Sequence, residues 1–271
     1  MVAEASFAPK RAGGLWAPGH AAVERAIRAA DHVVSLNADD QACVRPLLKP
    51  GAGESLLPPF VDAGPYRRAR ARRTATRRAL AARHGLPEDA LWLLAVGMMR
   101  PGDKLASYRL LATALRACTD PRWRLLVVGG GAAEREVRAL FAPFGDRVVF
   151  AGVLGGSALA PVYGACDLLV WPAVREAFGM AILEAQAAGL PVVAGRSGGV
   201  PGIVADGETA LLTTPGDAAA FAGALTRLLG DRAAREAMGD RALDRVRTDH
   251  DLAQAAQRLD SVLRKLDPRS R

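Results

Sequence analysis

From Leu91 onward the chain alternates short apolar runs with longer amphipathic stretches, and no other feature constrains its fold as tightly. The apolar runs read as strands at residues 91–96, 124–128, 148–150, 168–171, 192–194 and 210–212. Helical periodicity predicts helices over 105–117, 132–141, 158–166 and 180–188, and three more over 217–229, 233–247 and 252–266. Strands separated by helices pair in parallel, with the helices crossing over the faces of the sheet. The expected fold class is therefore α/β, a Rossmann-like doubly wound parallel sheet. Ligands of such sheets lie beyond the carboxyl ends of the strands, where the strand order reverses. Chemistry is expected in the loops that follow the strands.

The loop after the strand at 168–171 carries the most. Residues 175–191 read REAFGMAILEAQAAGLP. Gly189 and Pro191 form a helix stop, so Glu184 lies inside a helix and Glu176 in the strand-to-helix loop before it. The N-terminus of that helix, at Phe178, Gly179 and Met180, offers free backbone N–H groups and the positive dipole end, a seat for phosphate. A glycosidase pair fits poorly: in a continuous helix the two Cα atoms would be ~12 Å apart. Retaining pairs need ~5–5.5 Å and inverting pairs ~6.5–9.5 Å. Glu184 is better placed to accept two hydroxyls of a nucleotide ribose, and Glu176 to meet whatever the phosphate carries. That combination describes a nucleotide-sugar site.

Two further loops bear on it. Gly97 follows the first strand of the series and permits close backbone approach, while Arg100 and Lys104 are two cations able to hold a diphosphate. Gly129-Gly130-Gly131 lacks a full G-x-G-x-x-G and reads as a tight turn. His20, His32, His84 and His250 lie away from these loops.

Glu176, Phe178, Gly179, Glu184, Ala188-Gly189 and Pro191-Val192-Val193 together resemble the E-x7-E segment of the retaining glycosyltransferases of family 4, which have the GT-B fold of two Rossmann-like domains. The resemblance runs from about Asp31 to the C-terminus. It implies transfer of a sugar from a nucleoside diphosphate sugar to an acceptor hydroxyl with retention, without a metal or a resident cofactor. By the same resemblance Glu176, Lys104 and Arg100 are the catalytic residues, though Met98 stands where the family usually has its Arg. Gly97, Gly152, Val153, Phe178, Gly179, Met180 and Glu184 would bind the donor, with the backbone at 150–153 reading the base. Gly202 stands where the family often has Glu. Residues 58–62 resemble the interdomain linker. Residues 1–62 are thus expected to be a remnant of the acceptor domain plus linker, and 63–271 the donor-binding domain. The alternative is a catalytically incomplete nucleotide-sugar-binding module, a fragment or half of a two-chain enzyme.

The remaining features set the surroundings. Lys and Arg number 36 against 28 Asp and Glu, a net charge of +8 that favours an anionic partner. Much of the excess falls at Arg67, Arg68, Arg70, Arg72, Arg73, Arg77, Arg78 and Arg83. That run reads as the exposed face of a linker helix, with peripheral contact to an acidic membrane surface as the alternative. Nucleic acid is not expected, because no aromatics are interleaved with the arginines. Cys43, Cys118 and Cys166 are too far apart for a metal site and odd in number, consistent with a reducing cytosol. No apolar run approaches the ~18 residues of a membrane span, and Glu4, Lys10 and Arg11 with no apolar core argue against a signal peptide. A cytoplasmic location, or one peripheral to the inner membrane face, is expected, with a sugar or a lipid-linked molecule as acceptor.

Overall fold

The computed structural model describes residues 2–3 and 17–266. Residues 1–19 show no hydrophobic periodicity and read as irregular; most of them, with Glu4, Lys10 and Arg11, lie outside the described residues, while residues 17–19 belong to the first helix. The chain opens with β1 (Val2–Ala3), α1 (Ala17–Ala29), β2 (His32–Ser35), α2 (Ala38–Val44) and β3 (Gly53–Leu56). These three strands form a small parallel sheet in the order β1-β2-β3. The Asn37 side chain caps α2 by accepting from the Asp40 N–H.

Two consecutive helices follow, α3 (Gly64–Ala71) and α4 (Arg73–His84), the second closed by Gly85 in the left-handed region at φ 66°. The alternation then runs β4 (Leu91–Val96), α5 (Asp103–Ala117), β5 (Trp123–Val128), α6 (Glu134–Phe141), β6 (Val148–Gly152), α7 (Leu159–Ala165), β7 (Leu168–Trp171), α8 (Met180–Ala187), β8 (Val192–Gly195), α9 (Val200–Ile203) and β9 (Ala210–Thr213). All six of these strands are parallel, in the order β6-β5-β4-β7-β8-β9. This is the doubly wound order, with its reversal between β4 and β7. The fold is the Rossmann-like α/β sheet that the alternation implies. β7 and β8 are buried along their whole length, and β4 along all but its ends, because helices cover both faces. α10 (Ala218–Gly230), α11 (Arg232–Arg245) and α12 (Leu252–Leu266) complete the chain, and Asp217 and Asp231 cap the first two.

From residue 91 onward the strand and helix boundaries coincide with the sequence expectations at half of the ends and differ by one or two residues at the others, where fraying and caps blur the pattern. The sequence pattern predicts a first helix over residues 21–30, and α1 begins four residues earlier, at Ala17. The expected helix over 233–247 ends at Arg245 and passes into a π-turn over Val246–His250. α12 does not close the six-stranded domain. Its Ala255 packs on Val34 and Leu57, and Val61 pairs with Asp251, so the last helix lies against the small sheet.

The arginine run is only in part the solvated face that its composition suggests: Arg67, Arg68, Arg72, Arg78 and Arg83 are exposed, whereas Arg70, Arg73 and Arg77 are half-buried. α3 and α4 pack on α7, and two of the arginines turn inward. Asp167, just before β7, accepts from Arg73 at 2.6 Å, from Arg77 at 3.0 Å and from the Trp92 N–H at 2.7 Å. Arg77 also donates to the Ala165 carbonyl at 2.8 Å, and Arg73 to the carbonyls of Gly164 and Cys166. Guanidinium groups thus serve the carbonyl end of α7 beyond Val162, whose own carbonyl accepts from the Cys166 N–H. Arg70 does the same beyond α8, donating to the Gly189 carbonyl at 2.8 Å.

Candidate functional site

The reversal between β4 and β7 opens a cleft at the carboxyl ends of those strands. A cavity of about 310 Å³ lies there, walled by Gly97 after β4, Lys104 on α5, Trp171 at the end of β7, Glu176 in the next loop, and Gly179 and Glu184 at the start of α8. Phe178 and Met180 line it as well. Residues from four separate loops and helices are brought to one wall because parallel strands end at a common edge.

The loop from β7 to α8 is tightly folded. Ala173 and Arg175 adopt positive φ, 53° and 49°, a conformation that non-glycine residues rarely hold. The turn folds Glu176 back over the strand it has just left. The Trp171 indole N–H, five residues earlier, donates to Glu176 Oε2 at 2.9 Å. Lys104 Nζ reaches the same oxygen at 2.6 Å, with the two side chains only 17 % and 13 % exposed. The backbone of the loop is pinned from two sides. Ser107 on α5 accepts from the Val174 N–H at 3.0 Å, and Ser197 Oγ accepts from the Glu176 N–H at 3.3 Å. Gly199 donates to the Ala177 carbonyl at 3.0 Å, and Gly198, at φ 51°, comes so close that a Cβ there would overlap the Glu176 carbonyl.

Gly97 is fixed by the same packing. A Cβ at that position would stand 2.9 Å from the Trp171 ring, and the Gly97 carbonyl accepts from the Tyr108 hydroxyl at 2.8 Å. Tyr108 in turn meets Trp171 edge to face, at 5.1 Å between centroids.

At the other end of the cavity Glu184 is held by phenols. Tyr163 on α7 donates to Glu184 Oε2 at 2.8 Å, and Tyr66 on α3 is a second hydrogen-bond donor to the same carboxylate. Burial raises the Glu184 carboxyl above its ordinary value, while the two hydrogen bonds pull it back down. Burial also raises both phenols, with the Glu184 charge as the next cause, so they remain donors at neutral pH. Gly179 precedes α8 at φ 73°, and no side chain caps that helix. Ile182 and Leu183 donate to the Gly179 carbonyl at 2.8 and 3.1 Å, which leaves the N–H groups of Met180 and Ala181 without an intrahelical acceptor beside the cavity into which Lys104 and Glu176 converge.

Not every expected site residue reaches this cavity. Gly97, Lys104, Glu176, Phe178, Gly179, Met180 and Glu184 line it. Arg100 is exposed and outside its wall: Met99 is fully buried and anchors the loop by donating to the Gly130 carbonyl at 2.8 Å, while Met98 and Arg100 on either side of it face solvent. Gly152 and Val153 lie at the end of β6, two strands from the reversal, with Val153 77 % exposed. Gly129 and Gly131, read as a tight turn, pack directly on the backbone of Gly97 and Met99 at φ 140° and 142°. A Cβ at Gly202 would meet open space.

Trp171, Tyr163, Tyr66 and the Ser197-Gly198 pair are site residues that sequence reasoning passed over. The legible signal was a Trp ending a buried strand one short loop before a Glu. No three His, Cys, Asp or Glu side chains converge as a metal-holding group among the described residues. One Asp-x-Asp spacing occurs near the end of the chain, but its members do structural work. Asp249 pairs with Arg245, and Asp251 pairs with Arg67 and accepts from the Ala253 N–H at 3.0 Å. A larger cavity of about 570 Å³ at the opposite edge of the sheet is lined by Arg70, Arg73, Arg77 and Asp167, the groups already engaged with carbonyls and carboxylates. No helix among the described residues is long and apolar enough to cross a membrane.

Comparison with known proteins bears on this geometry. The sequence profile of the family described as glycosyl transferases group 1 matches residues 90–231, more than half of the chain. A D-inositol 3-phosphate glycosyltransferase of Stackebrandtia nassauensis is 40 % identical over 177 residues, covering 61 % of this chain and 40 % of the relative. Its counterpart in Corynebacterium glutamicum is 32 % identical over 219 residues, covering 78 % of this chain and 49 % of the relative. The chain thus spans less than half the length of these curated relatives. Among solved structures, a sucrose-phosphate synthase from Thermosynechococcus elongatus superposes with a TM-score of 0.80 at 28 % identity, over 98 % of this chain and 67 % of that one. Anabaena HepE in complex with UDP and glucose shares the fold, with a TM-score of 0.82 at 20 % identity over 97 % of this chain and 70 % of that one.

Proposed function

The chain belongs to the group 1 glycosyl transferases, and from that premise we propose that it binds a nucleoside diphosphate sugar in the cavity between β4 and β7. The sugar passes to an acceptor hydroxyl with retention of configuration and without a metal ion. The diphosphate sits against Lys104 Nζ and the uncapped N-terminus of α8 at Gly179 and Met180. Glu184 accepts the ribose hydroxyls, and Glu176 orients the hydroxyls of the sugar. Gly152 and Val153 lie in the direction of the base, and Arg100, out in solvent, steers the anionic donor inward.

As the bond between the anomeric carbon and the phosphate oxygen stretches, negative charge grows on the departing diphosphate. Lys104 and the helix amides are already in place and stabilise that charge more than the ground state. Departure and attack occur on the same face of the sugar, so the chain needs no nucleophile of its own. The acceptor is a sugar or lipid-linked hydroxyl, which is compatible with a cytoplasmic or membrane-peripheral setting.

One observation carries the reading: Lys104, Glu176 and Glu184 share a single cavity with an uncapped helix N-terminus. Calorimetric titration of the whole chain with UDP-, GDP- and ADP-glucose tests it. Saturable one-to-one binding to one of them, lost on Glu184→Ala, is expected; no binding to any of the three refutes it. Following release of free glucose in the same samples separates an enzyme that turns over from a module that only holds the donor.

A further inference from the structure

Glu176 Oε2 has two donors, and they differ in what a donor molecule would do to them. Lys104 Nζ, at 2.6 Å, is a mobile cation whose natural partner on binding is the diphosphate. The Trp171 indole N–H, at 2.9 Å, belongs to a ring that is 1 % exposed and cannot follow. Two contacts that do not involve Lys104 hold that ring: Tyr108 meets it edge to face at 5.1 Å, and Gly97 abuts it so closely that a Cβ would stand 2.9 Å away. Between Trp171 and Glu176 the chain passes through two residues at positive φ, so the loop has no relaxed geometry of its own to hold the carboxylate.

We propose that Trp171 is the positioning residue for Glu176: its indole N–H keeps the carboxylate aimed at the sugar once Lys104 has turned to the diphosphate. The inference rests on the reading that Glu176 faces the sugar. It assigns to a buried aromatic residue the part of donor recognition that distinguishes the sugar-bearing nucleotide from the bare diphosphate. Without the N–H, a carboxylate left by its lysine has only a strained loop to orient it, while the diphosphate seat on Lys104 and α8 is untouched.

The test compares wild type, Trp171→Phe and Trp171→His by calorimetry with UDP, GDP and ADP and with the corresponding glucose nucleotides. Wild-type binding of one pair decides the donor reading on its own. For that pair, Trp171→Phe is expected to bind the diphosphate within twofold of wild type. Its affinity for the glucose nucleotide is expected to fall about tenfold, the worth of a hydrogen bond to a charged group. Trp171→His, which retains a ring N–H, is expected to recover part of that loss. Equal losses for both ligands, or no loss for either, overturn the proposal, as does a His variant that matches Phe. Should the Phe variant fail to fold, the wild-type indole N–H resonance decides. It stays shifted and protected from exchange in the complex with the glucose nucleotide, and a free, rapidly exchanging indole refutes the assignment.

Discussion

Substituting Lys104 by Met removes the ammonium while keeping most of the stem that packs over Trp171. At 2.6 Å the attraction between Lys104 and Glu176 is about 6 kcal/mol for an effective dielectric of ~20. Desolvation of two side chains that are 17 % and 13 % exposed cancels most of it, at several kcal/mol per ion. The pair as a whole therefore contributes little, but deleting one member leaves the other charged in a half-dry site. For fully buried pairs that deletion costs ~3–5 kcal/mol. Here the residual exposure and the remaining Trp171 N–H reduce it to about 2–3 kcal/mol, a fall in Tm of roughly 5–10 °C. Lys104→Met/Glu176→Gln removes both charges and should return to within ~1 kcal/mol of wild type. Diphosphate affinity is expected to order as wild type, then the double variant, then Lys104→Met alone, because in the last an unpaired carboxylate faces the phosphates. Thermal melts by circular dichroism and the calorimetric titration report both quantities. A double variant less stable than Lys104→Met, with the two losses adding, would show that the charges act independently and that the ion pair explains nothing.

Three other expectations follow from separate parts of the structure. Asp167→Asn leaves two guanidinium groups around a neutral amide, one of them only 13 % exposed, and should lower stability by about 2–4 kcal/mol in urea melts without moving donor affinity. A loss under 0.5 kcal/mol would mean that Arg73 and Arg77 are as good as solvated and that their pairing with Asp167 holds nothing. Gly198→Ala drives a methyl into the Glu176 carbonyl at φ 51°, which should cost about 1–3 kcal/mol and weaken glucose-nucleotide binding at least tenfold; retained affinity would show that the loop position is irrelevant. Glu184 has a carboxyl raised by burial, so the folded state holds its proton more tightly than the unfolded state does. Its contribution to stability is complete below the ordinary value of 4.5 and is lost as pH rises through the folded value. Glu184→Gln should flatten that part of the stability profile. In the wild type, donor affinity should fall as pH drops through the same window, where the protonated acid accepts fewer ribose hydroxyls; affinity independent of pH there would remove Glu184 from ribose binding.

The alternation of apolar runs and amphipathic helices determined a parallel sheet covered by crossover helices, and the open doubly wound order β6-β5-β4-β7-β8-β9 appears in the folded chain. The residues at 175–191 pointed to the candidate site, because a Gly-Pro helix stop and a glutamate on either side of a helix start are local features, written in adjacent positions. What the sequence could not decide was which distant groups meet them. Lys104 and Glu176 are separated by 72 residues and share an oxygen with Trp171 only because β4 and β7 are neighbours in the sheet. Arg73 and Arg77 look like surface charge in a list of residues, and became internal partners only when α7 presented its unpaired carbonyls 88 to 93 positions later. Periodicity and caps depend on neighbours in the chain, and so can be read from it. Pairings across a sheet depend on strand order, and strand order exists only once the chain has folded.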